Sequence, residues 1–413
     1  MNAEAAKGLS ELLEQVTGFI YPNEIEMHWG ILVVVYPYVT GVVAGAFILA
    51  SMVKVFNVRE VQPTYRLALL TALSFLLIAP LPLLLHLGHP LRSYEIFLTP
   101  NLQSAMAMFG FVYAWYLMGV LLLEIWFEYR GDLIRMARQE RPPMRWIHRA
   151  LSLFSTDVSE AAATFDKKAI KAITIIGIPS AFLLHGYVGF IFGSVKANPW
   201  WSSVLMPIVF LMSAIVSGIA LVVFLYMVVT ALRREPIDMR CLDTITSYLF
   251  YAVIVDFSLE ALDFIHRLYQ SEESVKILGK LITGKLFMSL FVLQILLGMF
   301  IPLAILVLAK MRGFNDDLRK LLYFIAVILI QVGIFSTRWN VVIGGQLFSK
   351  SFRGLMGYKM EVMGIEGLLA AVVLLAMPFV ILAVLMRVLP TKRLDEQAGG
   401  PVMAGVRPVR PEA

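Results

Sequence analysis

Apolar residues fill nine long stretches of this chain, at 29–56, 65–87, 102–127, 168–192, 204–232, 242–268, 283–309, 318–338 and 362–389. Each exceeds the ~20 residues that carry an α-helix across a ~30 Å hydrocarbon layer. The pattern predicts an all-α polytopic membrane protein of nine to ten transmembrane helices. A tenth crossing would have to come from 340–358 or from the N-terminal segment. Segment 1–28 sets Glu4, Glu11, Glu14, Glu24 and Glu26 against Lys7, so it lacks the basic start and apolar middle of a signal peptide. The first span itself is expected to act as the insertion signal. In the longest loop, 130–167, the run RWIHRALSLF (145–154) mixes Arg145 and Arg149 with Trp146, Leu151 and Phe154, as an interfacial helix would. His148 within it reads as a surface residue. The tail 390–413, with adjacent glycines and Pro390, Pro401, Pro408 and Pro411, reads as disordered.

Composition agrees with the pattern. The 413 residues are 59% hydrophobic and 15% charged, with a mean hydropathy of +0.78, which excludes a soluble enzyme. The single cysteine, Cys241, excludes a disulfide framework, a four-thiolate iron–sulfur cluster and c-type haem attachment. Of the 35 Lys and Arg residues, 24 fall on one side of the predicted topology and 11 on the other. The positive-inside rule then sets the N-terminus outside and the C-terminus in the cytoplasm. The net charge of +6 follows from topology and calls for no nucleic acid. Two outer loops, 267–285 and 339–361, keep Lys276, Lys280, Lys350 and Lys359 against that rule. They are read as contacts to an extracytoplasmic partner.

A weak internal repeat organises the spans. YLMG (116–119) in span three matches ILLG (295–298) in span seven, with Ser104 and Thr283 at equal distances before them, and spans two and six end in His86 and His266. Spans one and five carry small residues four apart, Gly41/Gly45 and Ser213/Ser217. Two parallel four-helix bundles, 29–193 and 204–338, are expected, with 362–389 as an additional helix.

Ionisable groups inside spans are costly and mark function. Asp256, Glu260, Asp263 and Arg267 of span six are spaced by 4, 3 and 4 residues, which at 100° per residue keeps them within roughly a 60° arc. That stripe runs from mid-membrane to the outer surface. It reads either as a structural pairing with Arg267 or Arg338, or as a proton relay. His28, His86, His89, His185 and His266 all fall toward the outer side, which argues for a polar site there and against a pore. Lys54, Glu124 and Glu128 in the inner half read as side chains that snorkel to the surface, leaving the inner half nearly closed. His86 and His185 would make an awkward bis-histidine haem site, because they lie at different depths, and histidines at this face suit the carbonyl of a quinone equally.

The stretches HWGILVVVYPYVTGVVAGAFIL (28–49), HLGHP (86–90), HGYVGFIF (185–192) and RWN…GGQ (338–346) resemble the NrfD family. Its members include the membrane subunits of polysulfide reductase, of alternative complex III and of the menaquinone reductase complex Qrc. Length and the acidic N-terminal segment are most similar to the last. The resemblance implies a quinone module without haem or iron–sulfur cluster of its own, with menaquinone as substrate and no metal site. It also implies an extracytoplasmic, ferredoxin-like iron–sulfur partner, with molybdopterin-enzyme-like and multihaem cytochrome c subunits beyond it. By resemblance, Asn23, His28 and Tyr187 match the quinone pocket, and His86, Asp256 and Arg338 match positions associated with proton movement. His185 joins the candidate quinone ligands, and Glu260 and Asp263 the candidate proton carriers. Two other classes stay open on the residues alone. A secondary transporter would use the repeat and the buried acids, and a b-type cytochrome or plain membrane anchor would use the histidines.

Overall fold

A computed structural model describes residues 27, 29–270, 274–311, 313–347, 355–392 and 394. Among the described residues, eight helices are long and apolar enough to cross a membrane. They are α1 (Ile31–Lys54), α2 (Arg59–His86), α3 (Ala107–Gln139), α4 (Glu160–Gly193), α5 (Met206–Leu232), and then α7 (Phe287–Ala309), α8 (Asp316–Gly344) and α9 (Leu368–Val388). Between α5 and α7 runs α6 (Met239–Gln270), of crossing length at 32 residues, which carries the acidic stripe. In a bilayer a helix satisfies its own backbone polar groups, so apolar sequence of this length has no other open-ended solution. The register follows the prediction to within a few residues, except where polar turns extend the helices. α3 runs on to Gln139 and α4 begins at Glu160. The tenth crossing does not use 340–344, because these residues continue α8 as a π-turn.

Two helices form the axis. α1 and α5 are buried along nearly their whole length. They touch backbone to backbone at Gly45 and Gly218, where a Cβ on Gly45 would lie 2.1 Å from the Ala214 carbonyl. Only glycine allows that approach. α2 and α4 pack on α1, α6 and α8 pack on α5, α3 closes against α4, and α7 closes against α8. α9 lies against α2 and α1. The two YLMG and ILLG segments matched in the sequence share a geometry, for Tyr116–Leu121 and Phe287–Phe300 are both π-helical. Such turns displace side chains and recur at functional positions.

Helix ends separate the two faces. Ser159 and Asn315 accept from the backbone N–H groups of Ala162 and Leu318. These are N-caps at water-facing starts, both at the end where α1 finishes in Lys54. At the opposite end Trp29 stacks on Trp201, with centroids 5.2 Å apart, and exchanges two hydrogen bonds of 3.0 Å with Gln346. These are called the Lys54 end and the Trp29 end below. Helix Met144–Leu151 exposes Trp146, Ile147 and Leu151. His148, expected at the surface, is buried. Its Nδ1 lies 2.6 Å from Glu140 and its Nε2 3.0 Å from the Val388 carbonyl, so it ties this helix to the end of α9.

Candidate functional site

The half of the molecule toward the Trp29 end encloses a polar cluster drawn from six helices. Arg338, one residue before the tryptophan of RWN on α8, is fully buried. Its Nη2 donates to Ser213 Oγ of α5 at 2.6 Å and to the Phe210 carbonyl at 3.4 Å. The guanidinium lies 4.3 Å from the Phe210 ring centroid and 3.3 Å from His185 Nε2 of α4. A guanidinium only donates, so this geometry makes His185 Nε2 an acceptor and puts the ring proton on Nδ1. Nδ1 faces Thr40 Oγ1 of α1 at 3.3 Å, and Thr40 donates onward to the Tyr36 carbonyl at 3.0 Å. Both imidazole nitrogens are therefore engaged by protein, which leaves neither for a haem iron.

From α6, Asp256 and Glu260 lie within electrostatic range of the same guanidinium. Glu260 Oε2 accepts from Gln294 Nε2 of α7 at 2.9 Å, and Gln294 Oε1 accepts from Asn340 Nδ2 at 2.6 Å. Five atoms here, Asp256 Oδ1, Glu260 Oε1, Arg338 Nε and Nη1 and Asn340 Oδ1, are buried without a protein partner. Buried polar groups without protein partners are satisfied by water. A crevice of about 50 Å³ adjoins two of these residues, Glu260 and Asn340, and is lined also by Asp263, Arg267, Gln294 and Trp200. It has room for water and none for a ring ligand.

The stripe on α6 divides in two. Asp263 is ion-paired to Arg267, with Nη2 to Oδ2 at 2.7 Å, and accepts from Ser203 Oγ. Arg267 also closes on the carbonyls of Pro199 and Trp200 at 2.7 and 2.6 Å. The half of the stripe nearer the Trp29 end is thus a paired anchor between α6 and the α4–α5 connection. The half farther from that end, Asp256 and Glu260, has no ion pair among the described residues.

The remaining candidates lie apart from this cluster. Tyr187 is half-buried, donates to the Ala105 carbonyl at 2.5 Å and stacks on Phe109 at 6.2 Å. Tyr36 meets the other edge of Phe109 at 5.5 Å, and its hydroxyl is buried without a protein partner. His86 ends α2, with Nδ1 2.8 Å from Glu366 Oε2 ahead of α9, and is not brought to the stripe. Asn23 and His28 lie outside the described residues. Lys280 and Lys359 are exposed at the Trp29 end, whereas Lys350 and the side chain of Lys276 lie outside the described residues. Among the described residues no three His, Cys, Asp or Glu side chains converge to hold a metal ion.

The half toward the Lys54 end overturns one expectation. Lys54, Glu124 and Glu128 do not snorkel. Glu124 is 0% and Glu128 6% exposed. Glu128 accepts from Lys54 Nζ at 3.0 Å and from Arg66 Nε at 3.0 Å, and Arg66 Nη2 reaches Asp132 at 2.7 Å. One turn deeper, Glu124 Oε1 accepts from Tyr65 Oη at 3.0 Å, while its Oε2 has no hydrogen bond. This half is a packed ion cluster and not a closed apolar plug. Hydropathy alone ends span three near 127, whereas α3 continues to Gln139, which sinks Glu124 about 22 Å from the helix end. Gln294, read from the sequence with Gln331 as an intermediate on a link toward the cytoplasm, sits between Glu260 and Asn340, whereas Thr40, Ser213 and Asn340 are not singled out as site residues by the sequence. Neutral side chains in apolar spans stand out only weakly, and Asn340 alone had a local signal, two residues after Arg338.

A multi-helix membrane fold with a buried, partly unpaired charge network of this kind defines a type of membrane protein before any particular one. Residues 22–350 match the family Polysulphide reductase, NrfD, and the chain belongs to that family. It is 32% identical to a selenate reductase subunit of Mesobacillus selenatarsenatis over 76% of this chain and 73% of that one. It is 26% identical to the Hdr-like menaquinol oxidoreductase integral membrane subunit of Archaeoglobus fulgidus, over 81% and 74% respectively. A putative dimethyl sulfoxide reductase membrane subunit of Halobacterium salinarum is 30% identical over 47% of this chain and 41% of its own. The protein is therefore a multi-pass membrane subunit of the reductase-associated NrfD type.

Proposed function

We propose that this chain is the quinone-reactive membrane subunit of a respiratory oxidoreductase in a bacterial inner membrane, with the Trp29 end outward. Electrons would pass between an extracytoplasmic iron–sulfur subunit and menaquinone, with molybdopterin-enzyme-like and multihaem cytochrome subunits further out. The names of the three relatives above, each a reductase or oxidoreductase subunit, support that setting. Within the family, length and acidic N-terminal segment favour the Qrc-type subunit. The observation that carries the reading is the Arg338–His185–Asp256–Glu260 cluster with its five unpartnered polar atoms.

Quinone reduction consumes two electrons and two protons at the carbonyl oxygens, and quinol oxidation returns them, so the site needs groups that hold protons and carry them. Two carboxylates one turn apart share a single guanidinium. Charge balance in a low-dielectric interior is reached with one proton on that pair, and adjoining water lets it move. Tyr187, Tyr36 and Phe109 form an aromatic wall suited to a quinone ring, to which His28 and Asn23 would be added from the N-terminal side. Protons are taken from the Trp29 side along Glu260 and the crevice beside Asp263, so turnover is electroneutral. Glu124 and its unpartnered oxygen favour a second reading, in which protons also enter from the Lys54 end.

Tyr187→Phe tests the pocket. It removes the hydroxyl while keeping the stack on Phe109, so the complex should assemble with quinone-dependent turnover reduced about tenfold. Wild-type turnover in Tyr187→Phe and in His28→Ala alike would remove the pocket from this end.

A further inference from the structure

The Lys54 end holds a second, larger cavity that the quinone reading does not use. About 590 Å³ in volume, it is framed by four separate stretches of chain. These are the start of α2 (Arg59 to Leu67), the last turns of α5 (Tyr226 to Arg233), the α5–α6 link (Glu235 to Arg240) and Thr391–Lys392 after α9. Five cations line it, Arg59, Arg66, Arg233, Arg240 and Lys392, against three carboxylates, Glu60, Glu235 and Asp238.

The carboxylates do not neutralise all the cations. Lys392 takes Glu235 at 2.7 Å, and Arg66 is held by Glu128 and Asp132. Asp238 is turned to the start of α6, accepting from the backbone N–H groups of Arg240 and Cys241 at 2.9 and 3.4 Å. Arg233 donates to a neutral partner, Thr391 Oγ1, at 2.6 Å. Arg59 and Arg240 show neither an ion pair nor a side-chain hydrogen bond among the described residues. Three guanidiniums from three segments thus surround one cavity with donors to spare, the fork geometry that suits phosphate oxygens.

Position selects the source of the phosphate. The cavity sits where α5 ends and α2 begins, at the boundary of the apolar belt. Leu67 and Val229 line its wall, and Leu232, adjacent to Arg233, is 79% exposed. A ligand with phosphate in the cavity and hydrocarbon along that wall meets both surfaces. Basic pockets between helix ends at this level suit anionic lipid headgroups.

We propose that this cavity binds the phosphate headgroup of an anionic phospholipid, clamped by Arg59, Arg233 and Arg240. The test purifies the full chain, with the subunits that accompany it, from wild type and from the triple variant Arg59→Gln/Arg233→Gln/Arg240→Gln. Both are delipidated and exchanged into nanodiscs containing phosphatidylglycerol and phosphatidylcholine, and retained lipid is counted by native mass spectrometry. Each guanidinium contributes about fivefold, so the triple variant should retain at least tenfold less phosphatidylglycerol and as much phosphatidylcholine as wild type. Arg240→Gln alone should show about fivefold, and Arg240→Lys should recover most of it. Unchanged subunit recovery and melting temperature in the single variant keep a folding defect from producing the result. Equal phosphatidylglycerol retention in wild type and variants overturns the proposal, as does equal preference for phosphatidylcholine. Displacement of lipid by millimolar inorganic phosphate, with the phosphate retained in its place, assigns the site to a soluble phosphate and overturns the lipid assignment. Capture of an acidic soluble protein through these arginines, with no lipid retained, overturns it too.

Discussion

Two buried clusters of charge occupy opposite halves of the same helix bundle, and they are built on different rules. At the Lys54 end two cations, Lys54 and Arg66, meet two carboxylates, Glu128 and Asp132, at 2.7 to 3.0 Å. The cations also lie over aromatic rings, Lys54 4.2 Å from the Tyr65 centroid and Arg66 4.4 Å from that of Tyr129. Around Arg338 a single guanidinium serves two carboxylates, and its Nε and Nη1 are left without protein partners. A membrane interior penalises both arrangements, but only the first is compensated within the protein. The first therefore behaves as a structural fastening of α1, α2 and α3. The second has capacity left over for water and protons.

The comparison breaks most readily at Arg66. Arg66→Ala takes from Glu128 and Asp132 the guanidinium that bridges them, and also releases the Pro390 and Lys392 carbonyls that Arg66 holds at 3.5 and 3.2 Å. Breaking a buried pair in this way costs about 3–5 kcal/mol, so yield and detergent melting temperature should collapse. Near-normal stability would show that the cluster fastens nothing.

Asp256→Asn should do the reverse. The side chain keeps its shape and loses a charge whose Oδ1 had no partner to lose, so assembly and melting temperature should stay close to wild type. Quinone-linked turnover should fall by about 100-fold or more, the usual scale for removing a proton-transferring group. Loss of assembly with full specific activity in what remains would make Asp256 structural and equalise the two clusters.

Much of this contrast is written locally in the chain. The α6 stripe is legible because its 3.6-residue period brings Asp256, Glu260, Asp263 and Arg267 to one face. Arg338 is legible because a charge in an apolar run has few innocent explanations. The partition of the stripe is not legible, since it depends on Ser203, Pro199 and Trp200, which lie about 60 residues or more away from Asp263 and Arg267 and reach them only in the fold. Gln294 and Asn340 meet across α7 and α8 for the same reason. Glu124 and Glu128 were misplaced by boundary choice, because hydropathy stops where a helix becomes amphipathic and not where it ends. His148 looks like a loop residue until α9 supplies the Val388 carbonyl, 240 positions away.

Glu124 is the residue on which the two rules meet. It belongs to the Lys54 half, yet one oxygen is unpartnered, like Asp256, and Tyr65 holds the other at 3.0 Å. Glu124→Gln preserves an acceptor for Tyr65 and removes the charge, so it separates a fastening from a carrier. If protons for quinone chemistry come from the Trp29 side alone, the variant should assemble normally and turn over within about twofold of wild type, since it deletes no carrier. Liposomes containing the wild-type complex should then develop no membrane potential during electron transfer, and neither should the variant. A potential that forms in wild type and disappears in both Glu124→Gln and Asp256→Asn would join the clusters into one path across the bilayer. Turnover would in that case be electrogenic, and the unpartnered oxygen of Glu124 would be its entry from the Lys54 side.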